Sequence, residues 1–113
     1  MITVLVESPF AAPTAKGRER NLGYMRAALR DCLIRGEAPF ASHALYTQPG
    51  VLDDNVAEER MLGIEAGLRW GEFARRTVVY CDLGISNGMD YGIAAAKEVG
   101  RDIEYRKLGG QWQ

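Results

Sequence analysis

The stretch TVVYCDLGISNGMDYGIAAAKEVG, residues 77–100, predicts a strand, a turn and a helix in succession, and with them the fold class. Residues 77–82 form a continuous apolar run of the kind found in strands buried in parallel sheets. Met89, Ile93 and Ala96 then recur at helical spacing. Because parallel strands are joined by crossover helices, this unit predicts an α/β protein.

Further apolar runs and periodic segments extend this alternation along the whole chain. They predict strands at residues 2–7, 38–42 and 102–108 and helices at residues 18–35 and 55–73, the last one capped by Asn55 with Met61 facing inward. Residues 43–54 are expected to form a long irregular loop. Right-handed crossovers then favour a small flavodoxin-like three-layer domain, whose parallel sheet has about four strands in the order 2-1-3-4. We expect one domain over residues 1–108 and a C-terminal tail over residues 109–113.

The composition is ordinary for a globular chain, with 47% hydrophobic and 26% charged residues and a net charge of -1. This charge balance gives no indication of a nucleic-acid polymer or a membrane as partner. Cys32 and Cys81 lie in apolar runs without CxxC spacing, so we expect buried thiols, no metal and no cofactor. The chain shows neither a span-length apolar run nor a signal-peptide pattern, which predicts a cytoplasmic protein.

The expected ligand site is the carboxyl edge of the sheet, where neighbouring strands wind in opposite directions. In the predicted order this point lies between strands 1 and 3, and the loops there are residues 7–10 and 82–89. Ser86 and Gly88 stand at the start of the last helix, where free N–H groups and the helix dipole attract anions. We therefore predict an anion at the N–H groups from Asn87 to Met89, with a plain helix cap as the alternative.

Five further residues are candidates for contact with a ligand. Ser8 can hydrogen-bond a hydroxyl or phosphate group, and Pro9 stiffens the turn after strand 1, although both also fit a plain strand exit. His43 is the only histidine and can serve as a general base or as a packing residue. Tyr46 and Gln48 can stack on and hydrogen-bond a base, or anchor their loop or line a dimer interface.

Several short motifs resemble a family of short phage and bacterial proteins of unassigned function. They are VESPF, PFASHALYTQ, LDD followed by EER and GI, and ISNGM, and the resemblance runs from Val6 to about Arg106. That family is similar to the nucleoside 2-deoxyribosyltransferase superfamily, which includes deoxynucleotide N-hydrolases. The resemblance implies a small parallel α/β fold, a nucleoside or nucleotide as ligand, a transferase or hydrolase reaction at the N-glycosidic bond, and a homo-oligomer.

The superfamily's binding residues have partial counterparts in this chain. Its turn after strand 1 is matched by Ser8 and Pro9, and its phosphate- or sugar-binding serine and glycine are matched by Ser86 and Gly88. The resemblance therefore implies that these residues bind sugar or phosphate.

The superfamily's catalytic glutamate has no counterpart. It belongs to a Gly-x-x-Tyr-Glu arrangement, of which Gly88 and Tyr91 are present while Gly92 stands in place of the glutamate. Glycine cannot attack the anomeric carbon or stabilise an oxocarbenium-like centre. If the chain is an enzyme, Asp90 and Glu7 are the carboxylates best placed to replace the glutamate, Asp90 only if it belongs to the turn before the helix.

Two functions follow as hypotheses. The chain is either an enzyme that cleaves or transfers at the N-glycosidic bond, or a non-catalytic binder that sequesters a nucleotide or a nucleotide-derived signal. A third and blander alternative is an oligomeric interaction protein with a vestigial pocket. Tyr46 and Trp112 are expected to be exposed aromatic side chains that become buried between subunits.

Overall fold

The computed structural model describes residues 1–112, and Gln113 at the end of the predicted tail lies outside the described residues. The strands are β1 (Thr3–Glu7), β2 (Ala38–Phe40), β3 (Arg76–Tyr80) and β4 (Asp102–Arg106). The helices are α1 (Ala15–Ile34), α2 (Ser42–Tyr46), α3 (Ala57–Gly71) and α4 (Asn87–Glu98), followed by a 3-10 turn at Gly110–Trp112. Across residues 1–112 there is no helix with the length and apolar character needed to cross a membrane.

All four strands are parallel and lie in the order β2-β1-β3-β4, which confirms the predicted flavodoxin-like α/β class. Val6 pairs with Val78 and Glu7 with Val79, so β1 and β3 end side by side at the centre of the sheet. The chain leaves β1 toward α1 and leaves β3 toward α4. These two central strands therefore form the switch point at which ligands bind in such sheets.

Alternation along β1 decides which side chains reach each face of the sheet. Val4 and Val6 pack in the core beneath α1 with Tyr24 and other buried side chains. Because successive side chains point to opposite faces, Leu5 and Glu7 lie on the other face, which α3 and α4 cover. The last residue of β1 thus carries a carboxyl group into the layer between the sheet and these two helices.

Ile64 and Leu68 lie on the inner face of α3, as the helical spacing predicts, but the helix also packs closely through glycines. A Cβ atom at Gly67 would lie 2.9 Å from the Cβ of Ser42, and one at Gly71 would lie 2.9 Å from a methyl carbon of Leu5. The predicted inward residue Met61 is instead 40% exposed. Because these glycines have no side chain, α3 can approach both α2 and the sheet closely. Hydrophobic periodicity does not predict such a contact.

Two further expectations about this region were wrong. The predicted irregular loop begins as the short helix α2, which covers Ser42–Tyr46. Asn55 does not cap α3, since the helix begins after Val56 without a side-chain cap, and the Asn55 N–H group donates to the Asp53 carboxylate. The Asp53 turn therefore precedes the helix and replaces the expected cap.

The end of the described chain is held against α1. The backbone N–H groups of Leu108 and Gly109 donate to the Asp82 carboxylate over 2.8 and 3.0 Å, and the Tyr24 hydroxyl donates to it over 2.6 Å. Trp112 packs edge-on against Tyr24 with 4.8 Å between ring centroids. Trp112 is thus covered within its own chain, contrary to the expectation of an exposed ring.

Candidate functional site

A cavity of about 330 Å³ opens at the carboxyl end of β1, between α2, α3 and the start of α4. Its polar lining includes Glu7 from β1, His43 from α2, Arg60 from α3 and the Ser86–Gly88 segment of α4. The volume lies at the small end of the usual range for ligand pockets, about 300–1,000 Å³. The cavity therefore occupies the predicted edge of the sheet and has room for a small ligand.

Glu7 carries the most perturbed carboxyl group of this cavity. Its side chain is partly buried and lines the cavity, and it makes no hydrogen bond or ion pair with any other described residue. Desolvation by burial raises the pKa of Glu7 to about 8, and the Arg101 guanidinium acts against this shift. At neutral pH the group is therefore mainly a neutral carboxylic acid.

Gly92 provides the space that the Glu7 carboxyl group occupies. A Cβ atom at position 92 would overlap Oε2 and Cδ of Glu7. Any larger residue would therefore have to displace the carboxyl group. The position where the resemblance calls for a glutamate is thus filled by a carboxyl group that comes from β1.

Asp90, the other carboxylate predicted from the sequence, lies outside the cavity. Its side chain is exposed and is not part of the lining. Helix geometry explains the separation, since Asp90 and Gly92 are two residues apart and project roughly 200° from each other. Of the two predicted carboxylates, the structure brings only Glu7 to the cavity.

His43 lies in the same cavity and is held by an aromatic neighbour. Its ring stacks on Phe10 with centroids 4.9 Å apart and an angle of 14° between the planes. Burial lowers the pKa of His43, with the Asp54 carboxylate acting against this shift and the Arg60 guanidinium adding to it. Neither ring nitrogen hydrogen-bonds to another residue in the described part of the chain, and the lowered pKa favours the neutral imidazole, which can accept a proton.

The start of α4 is both a cap and a source of free donors. The Ser86 hydroxyl accepts a hydrogen bond from the Met89 N–H group over 3.3 Å, and the Met89 sulfur accepts one from the Ser86 N–H group over 3.3 Å. The Met89 side chain is fully buried and its N–H group is already used, so the prediction that Met89 contacts a ligand is wrong. The N–H groups of Asn87 and Gly88 meet no acceptor in residues 1–112 and remain free.

Arg60 faces these donors and was not predicted as a site residue. One of its terminal nitrogens lies 3.6 Å from the point where a Gly88 Cβ would stand, and it forms no ion pair with another described residue. In sequence Arg60 is only one of the charges in the first turn of α3. The guanidinium and the free N–H groups together form a place for an anion.

Besides Met89, four of the predicted contact residues do not line the cavity. Ser8 and Pro9 are buried, and the Ser8 hydroxyl has no hydrogen-bond partner among residues 1–112. Tyr46 packs against Phe40 with 6.2 Å between ring centroids, and the Gln48 amide donates to a backbone carbonyl of α2. The structure therefore does not bring these four residues to the cavity.

The raised pKa of Glu7 predicts that this side chain makes stability depend on pH. Because the folded-state pKa lies above the ordinary value of 4.5, folding retains a proton that the unfolded chain releases. The stability that the retained proton contributes is fully present below pH 4.5 and is lost as pH rises through about 8. Glu7→Gln should therefore gain stability relative to the wild type between pH 5 and 8, by about 2–3 kcal/mol after allowance for partial exposure.

Urea unfolding of both proteins at pH 5 and pH 8 measures this difference, and other titrating groups cancel in the comparison. A stability difference that is the same at both pH values would contradict the proposed environment of Glu7.

The fold and the cavity define a small parallel α/β domain whose pocket combines a partly buried carboxyl group, an imidazole and a helix N-terminus with free N–H groups. Residues 2–106 match the family model described as Domain of unknown function (DUF7768), and the chain belongs to that family. No curated protein and no solved structure matches the chain.

Proposed function

We propose that the protein cleaves the N-glycosidic bond of a nucleotide and that Glu7 supplies the carboxyl group that acts on this bond. The observation that carries the proposal is the Glu7 carboxyl group, which lines the cavity, packs on Gly92 and has no partner among the described residues. Burying such a group costs free energy, and perturbed carboxyl groups in clefts are typical of catalytic sites. The motif resemblance supplies the reaction type.

The rest of the lining fits the parts of a nucleotide. The free N–H groups of Asn87 and Gly88 and the Arg60 guanidinium suit a phosphate group, which favours a nucleotide over a nucleoside. The Phe10 ring, which His43 holds by stacking, lines the cavity and offers a flat surface that suits a base. In this arrangement the glycosidic bond lies between the two ends, near Glu7.

A binder that only sequesters a nucleotide is the alternative. It would use the same anion-binding groups, but it gains nothing from a carboxyl group that is desolvated beside an anionic ligand. The position of Glu7 therefore favours the enzyme.

Chromatography of a panel of nucleosides and of ribo- and deoxyribonucleotides after long incubation with excess protein tests the proposal. We expect free base and sugar phosphate from at least one deoxynucleoside monophosphate. Recovery of every compound intact from the denatured protein would contradict the enzyme, and intact recovery with tight binding would establish the binder. A parallel incubation with heat-denatured protein controls for spontaneous loss of base.

Substitutions at the anion-binding groups should weaken nucleotide binding. Gly88→Val fills the space before Arg60, and Arg60→Gln removes the charge, so we expect about a 10- to 100-fold loss of affinity in each case. Arg26→Gln on the exposed face of α1 is the matched control and should bind like the wild type. Calorimetric titration with a deoxynucleoside monophosphate measures the affinities, and equal values for all four proteins would show that this helix end is only a cap.

We also propose a homo-oligomer and a cytoplasmic location. The support for an oligomer is the exposed apolar end of α3, where Trp70 is 56% exposed and Phe73 just beyond it is 72% exposed. The support for the location is the pair of unpaired thiols, Cys32 and Cys81. Light scattering at micromolar concentration should show at least a dimer, and a clean 12.5 kDa monomer would contradict the oligomer.

A further inference from the structure

We propose that the cavity separates acid and base between two side chains, so that the reaction is a direct hydrolysis and not a transfer through a covalent intermediate. Glu7 donates a proton to the departing base, and His43 removes a proton from the attacking water. This inference rests on the proposed function and assigns the chemistry of the same site. It differs from the reaction that the resemblance implies, in which a carboxylate attacks the sugar.

The surroundings of Glu7 suit a proton donor. No guanidinium or ammonium group lies within ion-pair distance of its carboxyl group in the described chain, and Gly92 presses against it without offering a hydrogen bond. The pKa of about 8 follows from this desolvation. A neutral carboxylic acid is a poor nucleophile, whereas an acid with a pKa near the working pH transfers protons efficiently.

The surroundings of His43 suit a base. The ring is fixed by its stack on Phe10, and its nitrogens are not used by any other described residue. Burial keeps the pKa of His43 below its ordinary value, so the imidazole is neutral when Glu7 is still protonated. The nearby Asp54 carboxylate stabilises the imidazolium ion that forms when His43 takes a proton.

Other charged groups near Glu7 and His43 also shift the pKa values of these two side chains. Arg101 acts on Glu7 and lowers its pKa, whereas Arg60 acts on His43 and lowers its pKa. The remaining titratable groups of the cavity lining are Asp54 and Tyr91. None of these groups reverses the direction of either shift.

The proposed step balances without a further reactant. The water oxygen forms a bond to the anomeric carbon as the bond from this carbon to the base nitrogen breaks. The electron pair of the broken bond stays on the base, which takes the proton of Glu7, while His43 takes a proton from the water. His43 then releases its proton to solvent and Glu7 regains one, so the net reaction consumes one water and yields free base and sugar phosphate.

The pH dependence of base release from deoxynucleoside monophosphates tests this division of roles. We expect the wild-type rate to fall above about pH 8, where Glu7 loses its proton, and to fall at acid pH, where His43 gains one. Glu7→Gln should lose the alkaline limb and His43→Gln the acid limb. His43→Gln should lower kcat about 100-fold with little change in KM.

A reaction in the presence of methanol also distinguishes direct hydrolysis from a covalent intermediate. If the attack is direct, NMR of the products should show either no methyl glycoside or only the anomer whose configuration is inverted relative to the nucleotide. A methyl glycoside of retained configuration, or a rate that rises through pH 8, would show a nucleophilic carboxylate and overturn the inference while the proposed function stands. Failure of the wild type to release base from any nucleotide would overturn both.

Discussion

Glu7→Gln is expected to lower kcat for base release by about 10²- to 10⁴-fold, the range that general acids contribute. The amide has nearly the same shape as the neutral carboxyl group, so the contact with Gly92 is kept. It cannot supply an acidic proton, and the transition state therefore loses stabilisation. Because the proposed phosphate contacts lie at Arg60 and α4, KM should change little. Chromatography of free base at saturating nucleotide measures the rate.

Substitutions at two other carboxylates show whether the loss of activity is specific to Glu7. Glu98→Gln is the matched control, since Glu98 is exposed at the far end of α4, and it should keep the wild-type rate. Asp90→Asn decides between the two carboxylates predicted from the sequence. A large loss in Asp90→Asn together with a normal rate in Glu7→Gln would contradict the assignment of Glu7.

Gly92→Ala is expected to abolish most of the activity with little loss of stability. The new methyl group would overlap the Glu7 carboxyl group, so the carboxyl group has to leave its position. We expect a loss of at least about 100-fold in kcat, because a misplacement of 1 Å in a catalytic group has an effect of this size. The displaced atoms are the end of a flexible side chain, and alanine improves helix propensity, so the net change in stability should stay within about 1 kcal/mol.

A double-mutant cycle isolates the cause. In Glu7→Ala the space is empty, so Gly92→Ala should stabilise the helix more in that background than in the wild type, with a coupling energy of about 0.5–1 kcal/mol. Gly23→Ala is the matched control, since a Cβ atom at this helical glycine would meet no atom within 4 Å. Equal changes in stability from Gly92→Ala in both backgrounds, measured by urea unfolding, would contradict the close contact.

The architecture was predictable because the apolar runs of β1 and β3 and the helical periodicity of α4 are local signals. They specify alternating parallel strands and helices, and the right-handed crossover rule then leaves the observed strand order. The inner face of α3 was predictable from periodicity only in part. Ile64 and Leu68 follow the helical spacing, whereas Gly67 contributes through the close approach of another helix and not through its own hydrophobicity.

The candidate site was predictable only in part. Glu7 ends the central strand β1 and Ser86–Gly88 follow the central strand β3, so the topology alone brings them to the edge of the sheet where the cavity lies. The direction of Glu7 depends on the register of β1, and the approach of Arg60 to Gly88 depends on how α3 packs beside α4. The reason for a glycine at position 92 is its contact with the Glu7 carboxyl group. Glu7 lies 85 residues earlier in the chain, so no local sequence pattern could predict this contact.

The most direct test of the account is a crystal structure of Glu7→Gln with a deoxynucleoside monophosphate, since the slow variant should retain intact ligand. We expect the phosphate at the N–H groups of Asn87 and Gly88 and beside Arg60. The residue 7 amide should lie within hydrogen-bond distance of the base or of the glycosidic nitrogen. A nucleotide bound outside the cavity, or one whose glycosidic bond lies far from residue 7, would contradict the account.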